Sequence, residues 1–315
     1  MNYYARDPLF DRNDLENLKL KDSAVALGVF DAMHLGHQEI IKYTVKYAKE
    51  HNLNSVVYMF RNLPKGVLTG KDIKNVNLFK KRLKLIQQLG VDTVVAERFN
   101  TEYMKIGYRE FIDKILIEKL DAKFVCAGFN YHFGYKGEGN TENLTQICGE
   151  RGIAVHIAEC KSLDKPVSST LIRKLIADGE MEEAAKYLGR YFSVTRRVEK
   201  GDRLGHRLGF PTANINLPDF HVVPKFGVYI SRARVGDKWY PSITNVGGKP
   251  TVSEKAPCIE THLLNFSGDL YGKEIEIEFH KYLREISRFE SVDALKARLE
   301  KDKKLAAEYF ENKKL

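Results

Sequence analysis

Short apolar runs alternate with longer segments of helical periodicity over the first part of the chain. The apolar runs lie at residues 24–30, 55–60, 93–96, 124–127 and 154–158 and predict β-strands. Apolar residues recur at helical spacing over 38–50, 78–89, 108–120, 169–177 and 181–188, which predicts helices. Strands that alternate with helices favour an α/β domain, with a parallel sheet covered by helices on both faces.

The pattern changes after Gly189. Short predicted strands, separated by Gly, Pro, Asp and Asn turns, lie at 191–198, 227–235, 238–246, 259–266 and 274–283. Glutamates alternate with apolar residues over 274–279, as in a half-buried strand, and helical periodicity returns at 291–312. We therefore predict two domains, 1–187 and 188–315, the second an antiparallel β-barrel with a terminal helix.

Composition excludes several classes of protein. The 315 residues are 43% hydrophobic and 30% charged, which excludes collagen-like and wholly disordered chains. No apolar run reaches the ~18 residues of a membrane span, and the first residues lack the apolar stretch of a signal peptide. We expect a cytoplasmic protein with no membrane partner. Its cysteines show no close pairing and predict buried thiols at Cys126, Cys148, Cys160 and Cys258.

The net charge of +9 leaves nucleic acid, anionic membranes and small anionic substrates open as partners. The charge is spread along the chain, and its one tight cluster is Lys80-Lys81-Arg82 with Lys84. This cluster falls in a segment of helical periodicity, which favours a solvated helix face. Distributed positive charge fits phosphate-bearing small molecules better than a long polyanion.

Residues 28–37, Gly-Val-Phe-Asp-Ala-Met-His-Leu-Gly-His, lie where a predicted strand gives way to a helix. Open parallel sheets bind their ligands at such points, and a helix N-terminus favours phosphate. Gly36 allows close backbone approach, and His34 and His37 face one ligand across one helical turn. A metal site is the competing interpretation, but no third ligand is near and the spacing is unusual for a helical metal pair.

A second motif, Val-Ser-Ser-Thr-Leu-Ile-Arg at 167–173, precedes and opens a predicted helix. Taken alone, Ser168 or Ser169 is a helix cap. Combined with the histidine turn, the hydroxyl groups and Arg173 suit a polyphosphate.

A third motif combines glycines at four-residue spacing, Gly201, Gly205 and Gly209, with a Pro-Thr-Ala-Asn turn at 211–214. Glycines of this kind present backbone N–H groups to phosphates, and Thr and Asn side-chain oxygens ligate Mg²⁺. A glycine-rich hairpin alone would leave the Pro-Thr-Ala-Asn set unexplained.

These motifs together resemble the prokaryotic bifunctional riboflavin kinase/FMN adenylyltransferase family, whose first domain is a Rossmann-like nucleotidylyltransferase. The resemblance implies that His34 and His37 contact ATP phosphates and stabilise charge on the α-phosphate. It also implies an ATP site completed by Gly28, Phe30, Asp31, Gly36, Ser168, Ser169, Thr170 and Arg173. Asn130, within the segment Gly-Phe-Asn-Tyr-His-Phe-Gly, would line the flavin site.

For the second domain, the resemblance implies ATP binding by the three glycines, Mg²⁺ binding by Thr212 and Asn214, and Glu260 as the catalytic base. Phe210, Arg284 and Phe289 would flank the flavin. ATP with Mg²⁺, riboflavin, FMN and FAD are the implied cofactors, substrates and products. No nucleic-acid partner is expected, and the chain would be a monomer or a weak homo-oligomer.

Two departures from the family pattern fall in the first domain. Asn62-Leu63-Pro64 replaces a frequent Pro-His-Pro, and Asn140 replaces an Asp. They leave open a riboflavin kinase with a weak or inactive adenylyltransferase. A non-catalytic flavin-binding or nucleic-acid-binding protein is the remaining alternative.

Overall fold

The computed structural model describes residues 2–5, 18–200, 210–248 and 257–313. The chain divides into two compact units, Met1–Ser169 and Thr170–Leu315. Across the described ranges, no helix combines the length and the apolar content that a membrane crossing needs.

The first unit is built on a six-stranded sheet in the order β1-β4-β3-β2-β5-β6, and each neighbouring pair is parallel. The strands are β1 (Asn2–Ala5), β2 (Ser23–Leu27), β3 (Asn54–Phe60), β4 (Thr93–Glu97), β5 (Ala122–Gly128) and β6 (Ala154–Ala158). The predicted parallel sheet is confirmed. The edge strand β1 was not predicted, since four residues are too few to establish a periodicity.

Helices cover both faces of this sheet. One face is covered by α1 (Leu35–Glu50) and α3 (Phe79–Gln87), the other by α4 (Tyr108–Glu110, continuing as a π-helix over Phe111–Lys119) and α5 (Thr141–Glu150). The short helix α2 (Pro64–Thr69) buries no residue. Consecutive residues of β2 enter opposite cores: Val25 and Leu27 pack in one cluster, Ala24 and Ala26 in the other. A strand buried on both sides explains why the sequence there is uniformly apolar.

Strand β2 lies at the point where the strand order reverses. Its neighbours are β3 on one side and β5 on the other. The chain adds β3 and β4 outward on the first side and later adds β5 and β6 outward on the second. The crevice outside the carboxyl ends of such strands is the usual ligand site of an open α/β sheet. Gly28, Arg61 and Phe129, which directly follow these three strands, therefore mark the place for a site.

Helix α6 (Ser169–Asp178) starts at the last residue of the first unit and lies otherwise in the second. The second unit continues with α7 (Met181–Leu188) and an antiparallel sheet in the order β7-β12-β9-β10-β11-β8. Its strands are β7 (Phe192–Arg197), β8 (Ala213–Asn216), β9 (Gly227–Val235), β10 (Lys238–Gly248), β11 (Pro257–Leu263) and β12 (Glu274–Arg284). Beyond β7, the N–H of Glu199 donates to the carbonyl of Asn214 on β8 at 2.8 Å, which nearly closes the sheet into a barrel. The predicted antiparallel barrel is confirmed.

The terminal helix α8 (Val292–Lys313) packs on the barrel through Ala306 and Phe310, which share a cluster with Val228 and Ile230 of β9. Ala213 and Asn214 were predicted as part of a turn, but they belong to β8 and pair with β11. The segment Ala-Asn-Ile-Asn alternates apolar and polar residues, but four residues directly after a Pro-Thr pair are too few to identify a strand from the sequence.

Three of the four cysteines, Cys126, Cys148 and Cys258, are buried as expected. The prediction was wrong for Cys160, which is exposed. It lies in the loop between β6 and the next helix.

Candidate active sites

The first site begins at Gly28, where β2 ends. A Cβ atom on Gly28 would lie 2.8 Å from the buried ring of Phe30, so only glycine fits beneath that ring. Phe30 and Met33 both have a φ of +49°, in the left-handed region that side chains disfavour. The chain thus makes a strained turn before α1 begins.

Asp31 lies inside this turn and is buried. Both of its carboxylate oxygens lie 3.1 Å from the backbone nitrogen of Val76, and the amide of Asn77 donates to the carbonyl of Asp31 at 2.7 Å. Asp31 therefore ties the turn to the segment that precedes α3.

His34 is the N-cap of α1, and its Nδ1 accepts the backbone N–H of His37 at 3.2 Å. The two imidazoles stack with ring centroids 3.6 Å apart. Because Nδ1 of His34 accepts a hydrogen bond, the proton of the neutral ring is on Nε2. The structure therefore places both predicted histidines at the positive end of a 16-residue helix, where an anion is favoured.

A hairpin brings Ser168 and Ser169 toward the same helix end. Val167 donates its N–H to the carbonyl of Lys161 at 2.9 Å, and Cβ of Lys161 lies 3.4 Å from the place of a Cβ on Gly36. Ser168 and Ser169 directly follow Val167, and α6 begins at Ser169. Lys161, which no motif singled out, is a cation at this site, and its Nζ lies 3.3 Å from Oε2 of Glu39.

The remaining residues of that motif lie on α6. Arg173 follows Ser169 by four residues and is half-buried on the same helix face, whereas Thr170 is exposed.

Asn130 lies at the same edge of the sheet as the histidine turn. Leu27 of β2 pairs with Ala127 of β5, so Gly28 and Gly128 end neighbouring strands side by side. Asn130 is exposed two residues further on, next to Phe129, which is 51% exposed.

Both departures from the family pattern have structural roles. Asn62 bridges two strand ends: its amide donates to the carbonyl of Phe99, and its carbonyl oxygen accepts the N–H of Phe99, each at 2.9 Å. Asn140 is the N-cap of α5, and its Oδ1 accepts the N–H of Asn143 at 2.9 Å in a capping box. Asn and Asp cap helices about equally well, so the change at this position preserves the cap.

The basic cluster corrects one prediction. Arg82 was expected on a solvated helix face, but it is completely buried in α3. Arg82 lies four residues after Leu78 and four before Ile86, so it is on the apolar face of α3. Its guanidinium donates to backbone carbonyls at the ends of β2 and β3, which permits its burial.

The second site is a row of polar residues across three barrel strands. Glu260 of β11 pairs directly with Asn214 of β8 on one side and with Asn245 of β10 on the other. Directly paired residues have side chains on the same face of a sheet, so the three lie side by side. Asn245 was not predicted as a site residue, because only the strand register reveals that it neighbours Glu260.

Thr212 is half-buried just before β8, and its carbonyl accepts the Asn214 amide at 3.4 Å. Phe210 is buried with its ring in edge contact with the ring of His262, at 5.4 Å between centroids. Nδ1 of His262 lies 2.9 Å from the carbonyl of Pro211, and burial lowers the pKa of His262. Because a carbonyl oxygen only accepts, Nδ1 of His262 donates to Pro211 and holds residues 210–211 against β11.

The predicted glycines Gly201, Gly205 and Gly209 lie outside the described residues. Arg284 ends β12, and its Nε and Nη2 lie 3.0 and 2.8 Å from Oδ2 of the buried Asp302 on α8. The ring centroid of Phe289 is 5.9 Å from the same guanidinium, so these two predicted flavin contacts are neighbours.

Comparison with known proteins gives matches over both units. Family models match residues 16–171 as FAD synthetase and 188–310 as riboflavin kinase. The bifunctional riboflavin kinase/FMN adenylyltransferase of Listeria monocytogenes is 33% identical over 292 residues, 92% of this chain and 93% of that protein. Its counterpart in Escherichia coli K12 is 31% identical over 302 residues, 95% of this chain and 96% of that protein.

A solved structure from Streptococcus pneumoniae, described as a macrolide-efflux protein, is also similar. It has a TM-score of 0.87 at 27% identity, and the match covers 98% of this chain and 99% of that chain.

The family models match both domains of this chain, and the similarity to the two bifunctional relatives extends over most of each chain. This chain belongs to the bifunctional riboflavin kinase/FMN adenylyltransferase family.

Proposed function

We propose that the chain makes FAD from riboflavin in two steps, each with its own site. The barrel transfers the γ-phosphoryl group of ATP to the ribityl 5′-hydroxyl of riboflavin and gives FMN. The parallel-sheet domain transfers AMP from a second ATP to FMN and releases pyrophosphate. The observation that supports adenylylation best is the stacked pair His34 and His37 at the start of α1, on the sheet edge that also carries Asn130.

In the adenylylation step, an oxygen of the FMN phosphate attacks the α-phosphorus of ATP, and the bond to the bridging oxygen of pyrophosphate breaks. His34 and His37 donate to the α-phosphate as its charge grows. The ATP site is completed by Gly28, Phe30, Asp31, Gly36, Ser168, Ser169, Thr170 and Arg173, and Asn130 contacts the flavin. Two anions must meet here, so positioning and charge stabilisation supply the catalysis, with no covalent nucleophile.

Gly36 supports this assignment. A Cβ on Gly36 would have its nearest neighbours at 3.4 Å, which is ordinary van der Waals contact. Packing within the chain therefore does not require glycine at this position, whereas a phosphate bound at the helix N-terminus would.

In the kinase step, Glu260 takes the proton of the 5′-hydroxyl as its oxygen attacks the γ-phosphorus. Thr212 and Asn214 offer the oxygen ligands that Mg²⁺ prefers, and Mg²⁺ bound there neutralises charge on the ATP phosphates. The direct pairing of Asn214 with Glu260 supports this arrangement, since base and metal ligand must lie close to the same phosphoryl group. Gly201, Gly205 and Gly209 hold the phosphates, and Phe210, Arg284 and Phe289 contact the flavin.

The proposal extends to the setting of the enzyme. Its partners are ATP, riboflavin and FMN, without nucleic acid, and it works in the cytoplasm as a monomer or a weak homo-oligomer. The catalytic domains divide at residues 187 and 188.

A product assay tests the proposal. The full chain is incubated with riboflavin, ATP and Mg²⁺, and the flavins are separated over time. FMN should form first and FAD, with pyrophosphate, should follow. FMN that accumulates without FAD would favour a kinase with an inactive first domain, and absence of both products would overturn the proposal.

A further inference from the structure

Arg82 of α3 is a charged side chain with no solvent exposure. Its Nη2 donates to the carbonyls of Val29 and Phe60 at 2.6 and 2.5 Å, and its Nη1 donates to the carbonyl of Arg61 at 3.0 Å. A buried guanidinium is costly unless its N–H groups find acceptors, and here backbone carbonyls serve as acceptors.

These acceptors belong to two strand ends at the edge of the first site. Val29 lies in the turn between β2 and the histidines, while Phe60 is the last residue of β3 and Arg61 follows it. One guanidinium therefore joins the nucleotide-binding turn to the neighbouring strand.

The turn needs such external support. Phe30 and Met33 are non-glycine residues in the left-handed region, a conformation that persists only when the surroundings impose it. The segment that leads into α3 supplies part of this support, since Val76 and Asn77 bond to Asp31. Asp31 follows Phe30 in the chain, and Val29, whose carbonyl accepts from Arg82, precedes it. Both neighbours of Phe30 are therefore bonded to the segment that contains α3.

We propose that Arg82 is a positioning residue for FMN adenylylation. Its bonds to Val29, Phe60 and Arg61 fix the turn and thereby set the positions of His34 and His37, while Arg82 itself does not contact the substrate. The inference rests on the proposed role of this turn in binding ATP.

Two substitutions in the full chain test it. Arg82→Met keeps the length of the side chain but removes every donor, and Arg82→Lys restores a cation with donors. Arg82→Met should lower kcat for FMN adenylylation about 10- to 100-fold, because displacement of catalytic groups by ~1 Å has effects of this size. Arg82→Lys should recover a large part of that loss. Riboflavin phosphorylation, measured in the same samples, should change by less than about twofold.

A matched variant separates positioning from general destabilisation. Leu144 is fully buried in the core cluster on the other face of the sheet from Phe30 and Met33. Leu144→Ala should lower the unfolding temperature of the first unit and leave kcat for adenylylation unchanged. An equal loss of kcat in Leu144→Ala and Arg82→Met, at equal loss of stability, would overturn the proposal.

Two further measurements decide whether Arg82 acts through the turn. Arg82→Met should have little further effect in a protein that already carries His37→Ala, because the group that Arg82 positions is gone. We expect the double variant to be less than about threefold slower in adenylylation than His37→Ala alone. Fully multiplicative losses would contradict the proposal. Amide hydrogen exchange over residues 29–37 should rise in Arg82→Met and stay unchanged in Leu144→Ala. Unchanged exchange in Arg82→Met would overturn the positioning role. This readout does not depend on FAD formation, whereas a wild-type chain that formed no FAD would refute adenylylation itself.

Discussion

The imidazole of His34 accepts the backbone N–H of His37 and lies against the His37 ring, with centroids 3.6 Å apart. His34 therefore caps α1 with Nδ1, and the proposed function assigns its other ring nitrogen, Nε2, to the phosphate. The cap and the proposed phosphate contact use different atoms of one ring, so substitutions can separate them.

His34→Asn keeps a side-chain cap, because Asn is a preferred N-cap, but it removes the Nε2 donor. FMN adenylylation should fall by about 10²–10³-fold, the range for loss of one donor to a developing negative charge. The free energy of unfolding should stay nearly unchanged, whereas His34→Ala should also lose about 1 kcal/mol with the cap. Steady-state kinetics and urea unfolding measure the two effects, and a fully active His34→Asn would limit His34 to capping.

Glu260→Gln should remove the proposed base of the kinase step while it preserves the shape of the side chain. We expect riboflavin phosphorylation to fall by about 10²–10⁴-fold, the usual contribution of general base catalysis. FMN adenylylation in the same protein should be unaffected, and His37→Ala should give the opposite pattern. Separate assays with riboflavin and with FMN decide this, and parallel loss of both activities in each folded variant would argue against independent sites.

Asn140 stands where the family usually has an Asp, so restoring the carboxylate tests whether its loss weakens the first site. Asn140→Asp should keep the cap of α5 and leave FMN adenylylation within about twofold, because Asn and Asp cap equally well. Asn140→Ala should lower the free energy of unfolding by about 1 kcal/mol. A tenfold or greater gain of adenylylation in Asn140→Asp would instead show that the missing carboxylate weakens the first site.

The fold was predictable where local pattern and tertiary environment agree. Strand β9 has the predicted bounds, Gly227–Val235, because its apolar residues and flanking turns both identify it. Strand β8 alternates apolar and polar residues over only four positions, directly after a Pro-Thr pair that predicts a turn. So short a pattern does not identify a strand, and its pairing with β11 becomes evident only in the structure.

The same distinction applies to the sites. His34 and His37 lie within one helical turn, so their proximity follows from sequence spacing. Asn245 neighbours Glu260 only through the register of β10 and β11. Arg82 reaches Val29 from a helix more than fifty positions later. Helical spacing places it on the apolar face with Leu78 and Ile86, but the sequence does not reveal which carbonyls it meets there.

Asp302 links the terminal helix to the proposed flavin site. Its buried carboxylate accepts hydrogen bonds from Arg284 and also from Arg298, whose Nε lies 3.0 Å from Oδ1. Asp302→Ala leaves two guanidinium groups without their partner and should lower stability by about 3–5 kcal/mol. If Arg284 contacts the flavin, KM for riboflavin should rise as well. Asp293→Ala, an exposed change on the same helix, is the control for both measurements.

His280 and Glu278 predict how the stability of the barrel depends on pH. His280 is fully buried, with Nε2 2.9 Å from Oε1 of Glu278, and Nε of Arg232 lies 2.6 Å from the same oxygen. Burial lowers the pKa of His280 below its ordinary 6.5 and outweighs the opposing attraction of Glu278. Burial raises the pKa of Glu278, but hydrogen bonds from His280 and Arg232 exceed this effect and leave it below 4.5.

Both shifts act in the same direction. Below about pH 6.5, His280 is protonated in the unfolded chain but not yet in the folded chain, where its pKa is lower. Protonation therefore favours the unfolded state, and stability should fall as the pH drops below that value. The contribution of Glu278 is present above about pH 4.5 and is lost as the pH falls further, through its folded pKa. Urea unfolding of the barrel at pH 7.5, 6.5 and 5.5 should therefore show decreasing stability. His280→Asn should make stability depend less on pH, because one titrating group is removed. If the slope of stability against pH stayed the same, other groups would be responsible for the loss of stability. His262 is one of them, since burial also lowers its pKa.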